Sequence, residues 1–371
     1  MSKARLSFVL EDALGWRTYR ARLEAVLAQR EDIEAQVIPV TLTRRDTLFF
    51  KRNNMRSRDH LFRRIDPIDA FAGRTGRAIR AGLSEFRSEA VHFAAHWPAA
   101  ALAGQAGAMP FTVTLDNTRA GIERDLPRGA WTAADMAREA ALLQAAAHVF
   151  PMSHWTARSV ISDCGVAPEA VTVMPPSIDV AQFVPARLAG REGKLRVIFI
   201  GNDIARKGAV DLANWIAGPL AELAELHIVS GDPAARALSD KATVHGRVPN
   251  ARLVTELLPE MDVLCLPTRS DMSPQVLAEA AAAGLPAVAS RIGGIPDMIL
   301  EGETGFTVPA GDAAGFVAAL AGLAQNRILA AKIGTSARAH AVEAFDAARN
   351  FNQLIDRLVA IARTKHGEPK L

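Results

Sequence analysis

Cysteine is nearly missing from this chain. Cys164 and Cys265 are the only two in 371 residues, far apart and in no CxxC or Cys/His cluster. That excludes a disulfide scaffold and argues against a structural zinc site, and it suits a cytoplasmic protein. Tyrosine occurs once, and no DNA- or RNA-binding module is recognisable, so nucleic acid ranks last among partners. No apolar run is long enough to span a bilayer, because charges or prolines interrupt every candidate. The apolar stretch in MSKARLSFVLED is too short for a signal peptide and runs straight into a strand. Chemical signatures are missing as well. No GxGxxG follows a strand and no GxxxxGK[ST] occurs, so a nicotinamide fingerprint and a P-loop are both absent. HExxH, G-x-S-x-G and Asp-x-Asp do not occur, which removes the commonest hydrolase signatures and a familiar metal motif.

The composition is ordinary for a soluble globular protein, 49% hydrophobic and 22% charged. The length exceeds one typical core and fits two domains. The net charge of +3 is unevenly spread, since residues 44–87 hold twelve basic residues against five acidic ones. Such a stretch favours an anionic partner, either lipid headgroups or a phosphorylated acceptor, or else is a solvated arginine-rich surface.

Short apolar runs alternate with helical stretches, the pattern of parallel α/β layers. RLSFVL, AQVIPV, AVHFAA, FTVTL and HVFPMS read as strands of a first half, with amphipathic TYRARLEAVLAQ and MAREAALLQAAA between them. Segment 44–70 reads as a mobile, basic insertion. PARLAGREGK is a polar stretch that suits a linker. LRVIFIG, ELHIVSG, DVLCLPT and PAVAS then read as strands of a second half. Two such units joined by a linker place ligands in the crevice at the carboxyl ends of their strands. The tail GEPKL is expected to fray.

The most informative stretch runs from Asp271 to Glu279 and on through AAAAGLP. Ser273 suits an N-cap and Pro274 a first helical position, while Gly284 before Leu285-Pro286 ends the helix. Every face but one is apolar, so the helix is expected to be buried and Glu279 either to find a partner, a basic side chain or a ligand hydroxyl, or to sit at a solvated helix edge. Upstream, IFIGNDIARKGAVDL ends a strand at Gly201 and sets Arg206 and Lys207 where the next helix begins. Two cations at a helix start suit a diphosphate, although an ARKG turn taken alone is more often a solvated loop.

Together, IGNDIARKG, VLCLPTRSD, DMSPQVLAEAAAAGLPAVASRIGGIPDMI and LEGETGFTVPAGD resemble the C-terminal domain of the retaining, GT-B-fold family 4 (group 1) glycosyltransferases. HVFPMSHWTARSVISDCGVAPEAVTVMPPSIDVAQFVP resembles that family's link region, which puts the junction near residues 176–194. The resemblance implies two Rossmann-like α/β domains facing a cleft. It assigns residues 1–180 to an acceptor-binding domain and 181–350 to a nucleotide-sugar-binding domain. Residues 351–371 would form a helix that crosses back onto the first domain, followed by the tail.

The site residues follow from the same resemblance. Lys207, with Arg206 beside it, would hold the donor diphosphate, and Met272, Ser273, Pro274 and Gln275 would form the loop at phosphate and sugar. Pro274 itself has no N–H to give. Asp271 would take hydroxyls of the transferred sugar and Glu279 those of the ribose. Gly246, Arg247 and Val248 would meet the base, Gly201 and Asn202 would line the donor site, and Gly15 would let the first loop approach the phosphates. Asn202 replaces the family's usual arginine, and Asp271 its first glutamate. His96 is the candidate for a catalytic histidine, two residues later than the family pattern puts it, where Ala94 stands. Asp116 is a candidate at the acceptor. Each has a plainer reading, a structural histidine and a turn aspartate.

The implied activity is retaining sugar transfer from a nucleotide-diphosphate sugar to a carbohydrate or lipid-linked acceptor, in polysaccharide, glycolipid or glycoconjugate synthesis. Neither cofactor nor metal is expected. The chain would be cytoplasmic, with peripheral contact to an anionic inner membrane face through residues 44–87. The alternatives are a catalytically silent GT-B protein that binds a sugar nucleotide or a partner, and a GT-B epimerase or phosphorylase.

Overall fold

The computed structural model describes residues 3–11, 16–40, 67–102, 109–126 and 131–364. The chain forms two compact units, Met1–Met174 with Ala347–Leu371, and Pro175–Asp346. The crossings therefore fall a few residues before the expected 180/181 and 350/351.

Unit 1 is built on five parallel strands: β1 (Ala4–Glu11), β2 (Ile33–Val40), β3 (Ala90–Ala94), β4 (Phe111–Leu115) and β5 (His148–Pro151), in the order β2-β1-β3-β4-β5. Strands β3, β4 and β5 are buried throughout, which is why they read as short unbroken apolar runs rather than alternating ones. The order reverses between β1 and β3, and in open α/β sheets ligands settle beyond the carboxyl ends of strands at such a switch point.

A helix over Pro67–Phe86 enters the segment whose sequence pattern is irregular. Pro67 lacks an N–H, which costs nothing at a helix start. Ile79 and Leu83, one turn apart, are buried, and Gly82 lets Ile38 approach, with 3.2 Å between Ile38 Cδ1 and the place of a Cβ. Arg80 donates to the Ala101 carbonyl at 3.0 Å. Residues 44–66 lie outside the described residues, and so does GEPKL.

The Ala347–Thr364 helix belongs to unit 1, although the chain visits unit 2 first. Phe351, Leu354, Ile355 and Leu358 share one buried cluster with Leu6, Phe8 and Leu10 of β1 and with Leu23. Tyr19 meets Phe351 edge to face at 4.9 Å. Under this face Tyr19 Oη lies 3.1 Å from His92 Nε2, and His92 Nδ1 lies 2.9 Å from Thr112 Oγ1. Burial pushes His92 down to about 3, so it is a neutral core residue.

Unit 2 holds six parallel strands, β6 (Leu195–Ile200), β7 (Ala224–Val229), β8 (Thr243–Gly246), β9 (Val263–Leu266), β10 (Ala287–Ser290) and β11 (Gly305–Val308). Their order, β11-β10-β9-β6-β7-β8, reverses between β6 and β9. The edge strands β8 and β11 are not apparent from sequence pattern. No residue of β8 is fully buried, and β11 begins with Gly305, where a Cβ would sit 2.1 Å from the Ala287 carbonyl oxygen.

PARLAGREGK is bound into unit 2 rather than left as a free tether. Asp262 is buried and takes Arg191 Nη1 at 2.9 Å, Arg327 Nη2 at 2.7 Å and the Arg196 N–H at 2.8 Å. Among the described residues no single helix is long and apolar enough to cross a membrane. Cys164 and Cys265 are free, buried thiols in different units. Burial pushes Cys164 up to about 12 and raises Cys265 as well, which leaves both unreactive.

Candidate active site

In unit 2 the chain leaves β6 at Gly201 and makes a tight turn before the Ala209–Ala217 helix. Asp203 adopts a left-handed conformation, φ 59°, tolerated by a short polar side chain that bonds locally. Its carboxylate takes the Arg206 N–H at 3.2 Å and Arg206 Nε at 2.8 Å. Gly208 has φ +82°, and a Cβ there would lie 2.1 Å from the Pro267 carbonyl oxygen. Only glycine fits. The N–H groups of Lys207, Gly208 and Ala209 bond to the carbonyls of Asp203, Ala205 and Ile204. These three amides are thus satisfied within the turn, so an anion held here meets the Arg206 and Lys207 side chains rather than those N–H groups.

Both side chains reach toward the segment after β9. Arg206 Nη1 donates to the Ser270 carbonyl, and Lys207 Nζ lies 3.1 Å from Asp271 Oδ2, each side chain less than a fifth exposed. Gly201 makes room for Lys207, whose Cδ lies 2.7 Å from the place of a Cβ. Two loops at the β6/β9 switch point therefore meet through a half-buried ion pair.

The helix after Asp271 runs Gln275–Ala282, one residue later than its sequence suggested. Pro274, not Ser273, is the N-cap, extended at ψ 113°, and no side chain caps the helix. Ser273 Oγ is buried with no hydrogen-bond partner. The Met272 N–H bonds to Asp271 Oδ1 at 3.1 Å, and Met272 and Pro274 are buried. The C-terminus is as expected: Gly284 (φ +72°) bonds to the Ala281 carbonyl and Leu285 to that of Ala280, the pairing that closes a helix on a left-handed glycine. Val276, Leu277, Ala278 and Ala280 to Ala282 are buried. Gln275 and Glu279, one turn apart on one face, are half-buried. Gly293 (φ +55°) packs on this loop, where a Cβ would stand 2.5 Å from the Asp271 carbonyl oxygen.

At the ends of β7 and β8 a further loop joins the group. Asn202 Oδ1 accepts the Gly231 N–H at 2.7 Å, and Gly246 (φ +67°) accepts the Ser230 N–H at 3.0 Å. Arg247 Nε lies 2.6 Å from the place of a Cβ on Gly231, and Val248 packs against the core. Asn202 is thus a loop fastener rather than a weaker substitute for arginine. Gly231 and Asp203 do not stand out in the sequence, because neither belongs to a motif with chemical meaning of its own.

In unit 1, Glu11 ends β1, His96 follows β3 and Asp116 follows β4. Glu11 is buried, and burial with Asp116 nearby raises it to about 7, opposed by His96. Asp116 is half-buried, takes Asn117 Nδ2 at 2.7 Å and accepts Thr156 Oγ1 at its carbonyl at 2.7 Å. His96 Nε2 stands 2.7 Å from Glu139 Oε1. Gly15 lies outside the described residues.

Two family descriptions divide this chain between them. Residues 19–182 match "Glycosyltransferase Family 4" and residues 194–326 match "Glycosyl transferases group 1". Taken together, the two matches place the chain in the family 4, group 1 glycosyltransferases. Curated relatives of this chain include a D-inositol 3-phosphate glycosyltransferase from Arthrobacter sp., 29% identical over 46% of this chain and 46% of that one. The glycogen synthase of Mycobacterium tuberculosis is 28% identical over 72% of this chain and 70% of its own. The chain thus spans about half the length of the first of these. Among solved structures, sucrose-phosphate synthase from Thermosynechococcus elongatus overlays with TM-score 0.75 at 17% identity, covering 96% of this chain and all of its own. Anabaena HepE, in complex with UDP and glucose, overlays with TM-score 0.67 at 13% identity, covering 96% and 99%. The parallel sheets of both units are those of the GT-B fold.

Proposed function

We propose that this glycosyltransferase moves a sugar from a nucleotide-diphosphate donor to an acceptor hydroxyl with retention of anomeric configuration. The observation that carries the reading is the Lys207–Asp271 pair at the β6/β9 switch point. Lys207 and Arg206 would neutralise the leaving diphosphate, and Asp271 would take a hydroxyl of the transferred sugar. Negative charge grows on the leaving group in the transition state, so fixed cations there lower the barrier. Glu279 would hold the ribose hydroxyls, with Gln275 on the same helix face. Met272 to Pro274 would line the phosphate and sugar, and Gly246 to Val248 the base. Gly201 and Asn202 would complete the donor site, and Gly15 would approach the phosphates.

The charge supplied by the two cations lets the reaction run without a resident metal or cofactor. The N-terminal unit would take a carbohydrate or lipid-linked acceptor near His96 and Asp116. The basic stretch 44–87, with Arg77 and Arg87 exposed, would touch an anionic membrane on its cytoplasmic face. Equal recovery from the supernatant with anionic vesicles at low and high salt would count against that contact.

A thermal-shift panel of nucleoside diphosphates and their sugars tests the donor class, since a ligand that binds only the folded state raises the melting temperature. Uridine compounds come first, because the similar Anabaena protein was solved with UDP. No shift with any of them would overturn the reading. Saturable binding without transfer or hydrolysis would favour a silent sugar-nucleotide binder instead.

A further inference from the structure

His96 stands at the second of the two switch points. β1 and β3 are neighbours, and their carboxyl ends carry Glu11 on one side and Ala95-His96 on the other. Ala95 is held at φ 77° while its N–H bonds to the Thr114 carbonyl at 3.0 Å. For a residue with a Cβ that conformation costs about 1–2 kcal/mol, and such strain clusters where function demands a particular aim. The His96 ring is 3% exposed and rests on Trp97, with ring centres 4.3 Å apart.

One nitrogen of that ring faces a carboxylate at ion-pair distance, off the line of a formed hydrogen bond. Nε2 lies 2.7 Å from Oε1 of Glu139, a residue of the Ala133–Gln144 helix that is 1% exposed. The second carboxylate oxygen, Oε2, accepts the Arg119 N–H at 2.6 Å. Arg119 Nε is 3.8 Å from Oε1, and the guanidinium bonds to the Asp135 carbonyl at 2.8 Å and lies over Trp131. Glu139 is therefore held through Oε2, while Oε1 faces the His96 ring and the buried Arg119 guanidinium. At 2.7 Å a bare ring lone pair would face the lone pairs of Oε1, so the proton belongs on the nitrogen between them. Nδ1 makes no hydrogen bond among the described residues. The charged groups around the ring are Glu11, Asp116 and Glu139, with Arg119 behind the last.

We propose that Glu139 is a positioning residue for His96: it fixes the imidazole proton on Nε2 and so leaves Nδ1 as the nitrogen that meets an acceptor hydroxyl. This rests on the transferase reading, in which the acceptor is held by unit 1. Orientation of an imidazole by a buried carboxylate sets which nitrogen is basic, and the reaction needs one tautomer only.

The test uses the full chain with ring-labelled histidine, His96 being assigned by its loss in His96→Ala. At a pH where the ring is neutral, nitrogen shifts should place the proton of His96 on Nε2. In Glu139→Gln the amide can donate to Nε2, and the proton should move to Nδ1 while the melting temperature stays within a few degrees. A wild-type ring protonated on Nδ1, or a ring unchanged in Glu139→Gln, would overturn the proposal, and the wild-type spectrum decides even if the variant fails to fold. With a working donor and acceptor, Glu139→Gln should lower kcat about tenfold or more with unchanged affinity for UDP; an unchanged kcat would remove the functional role. The ring measurement needs no substrate, so absence of turnover with every sugar nucleotide would overturn the transferase reading instead.

Discussion

Lys207 Nζ and Asp271 Oδ2 stand 3.1 Å apart, joining the loop after β6 to the loop after β9. Each side chain is less than a fifth exposed. The pair holds charge of both signs at one switch point.

Removing the cation should therefore weaken the nucleotide itself. Lys207→Ala is expected to raise the dissociation constant of the donor nucleotide about 30-fold, the equivalent of ~2 kcal/mol for one charge-assisted hydrogen bond. Titration calorimetry measures it, and affinity equal to the parent chain would contradict the assignment.

Removing the anion should act on a different quantity. Asp271→Asn leaves the diphosphate contacts in place, so UDP should bind within about threefold of the parent, while kcat for transfer falls by roughly tenfold or more. A loss of UDP affinity without a loss of kcat would reverse the roles of Lys207 and Asp271.

Glu279→Ala removes a half-buried carboxylate from a helix whose other faces are packed. The fold should survive, since alanine favours a helix, and nucleoside affinity should fall about tenfold. Equal binding of ribose and 2′-deoxyribose nucleotides by the unaltered chain would count against a ribose contact.

Glu11 links the carboxyl end of β1 in unit 1 to pH. Its folded value of about 7 lies above the ordinary 4.5, so the folded state binds its proton more tightly than the unfolded chain does. That stability is fully present below pH 4.5 and is lost as pH rises through 7. Glu11→Gln should flatten this slope and raise stability at pH 8 by on the order of 2 kcal/mol. Denaturant unfolding at about pH 5 and pH 8 compares the two; parallel pH profiles would remove Glu11 as the cause.

A chelator should leave transfer unchanged if Lys207 and Arg206 supply the charge at the diphosphate. Loss of turnover in EDTA, restored by a divalent cation, would show that the two side chains are not enough.

Strands such as FTVTL and LRVIFIG are legible in the sequence because buried parallel strands are short and apolar on both faces. Glu279 and its helix stand out for the same reason, as one acid in a run of alanines. The start of that helix does not, because serine before proline reads as a cap, while the extended backbone of Pro274 moves the boundary on. Asn202 looks like a lost arginine until its bond to Gly231 gives it a task of its own. Glu139 is not legible at all. It stands in an ordinary amphipathic helix and gains meaning only when the fold sets it against His96 and Arg119.

The Ala347–Thr364 helix has a consequence for synthesis. The first sheet emerges from the ribosome early, yet the apolar side of β1 around Leu6, Phe8 and Leu10 is covered only when Phe351 and Leu358 have been made. Until then the nascent N-terminal half carries an open greasy face while the second unit can already fold, so this chain should depend on holding factors during translation.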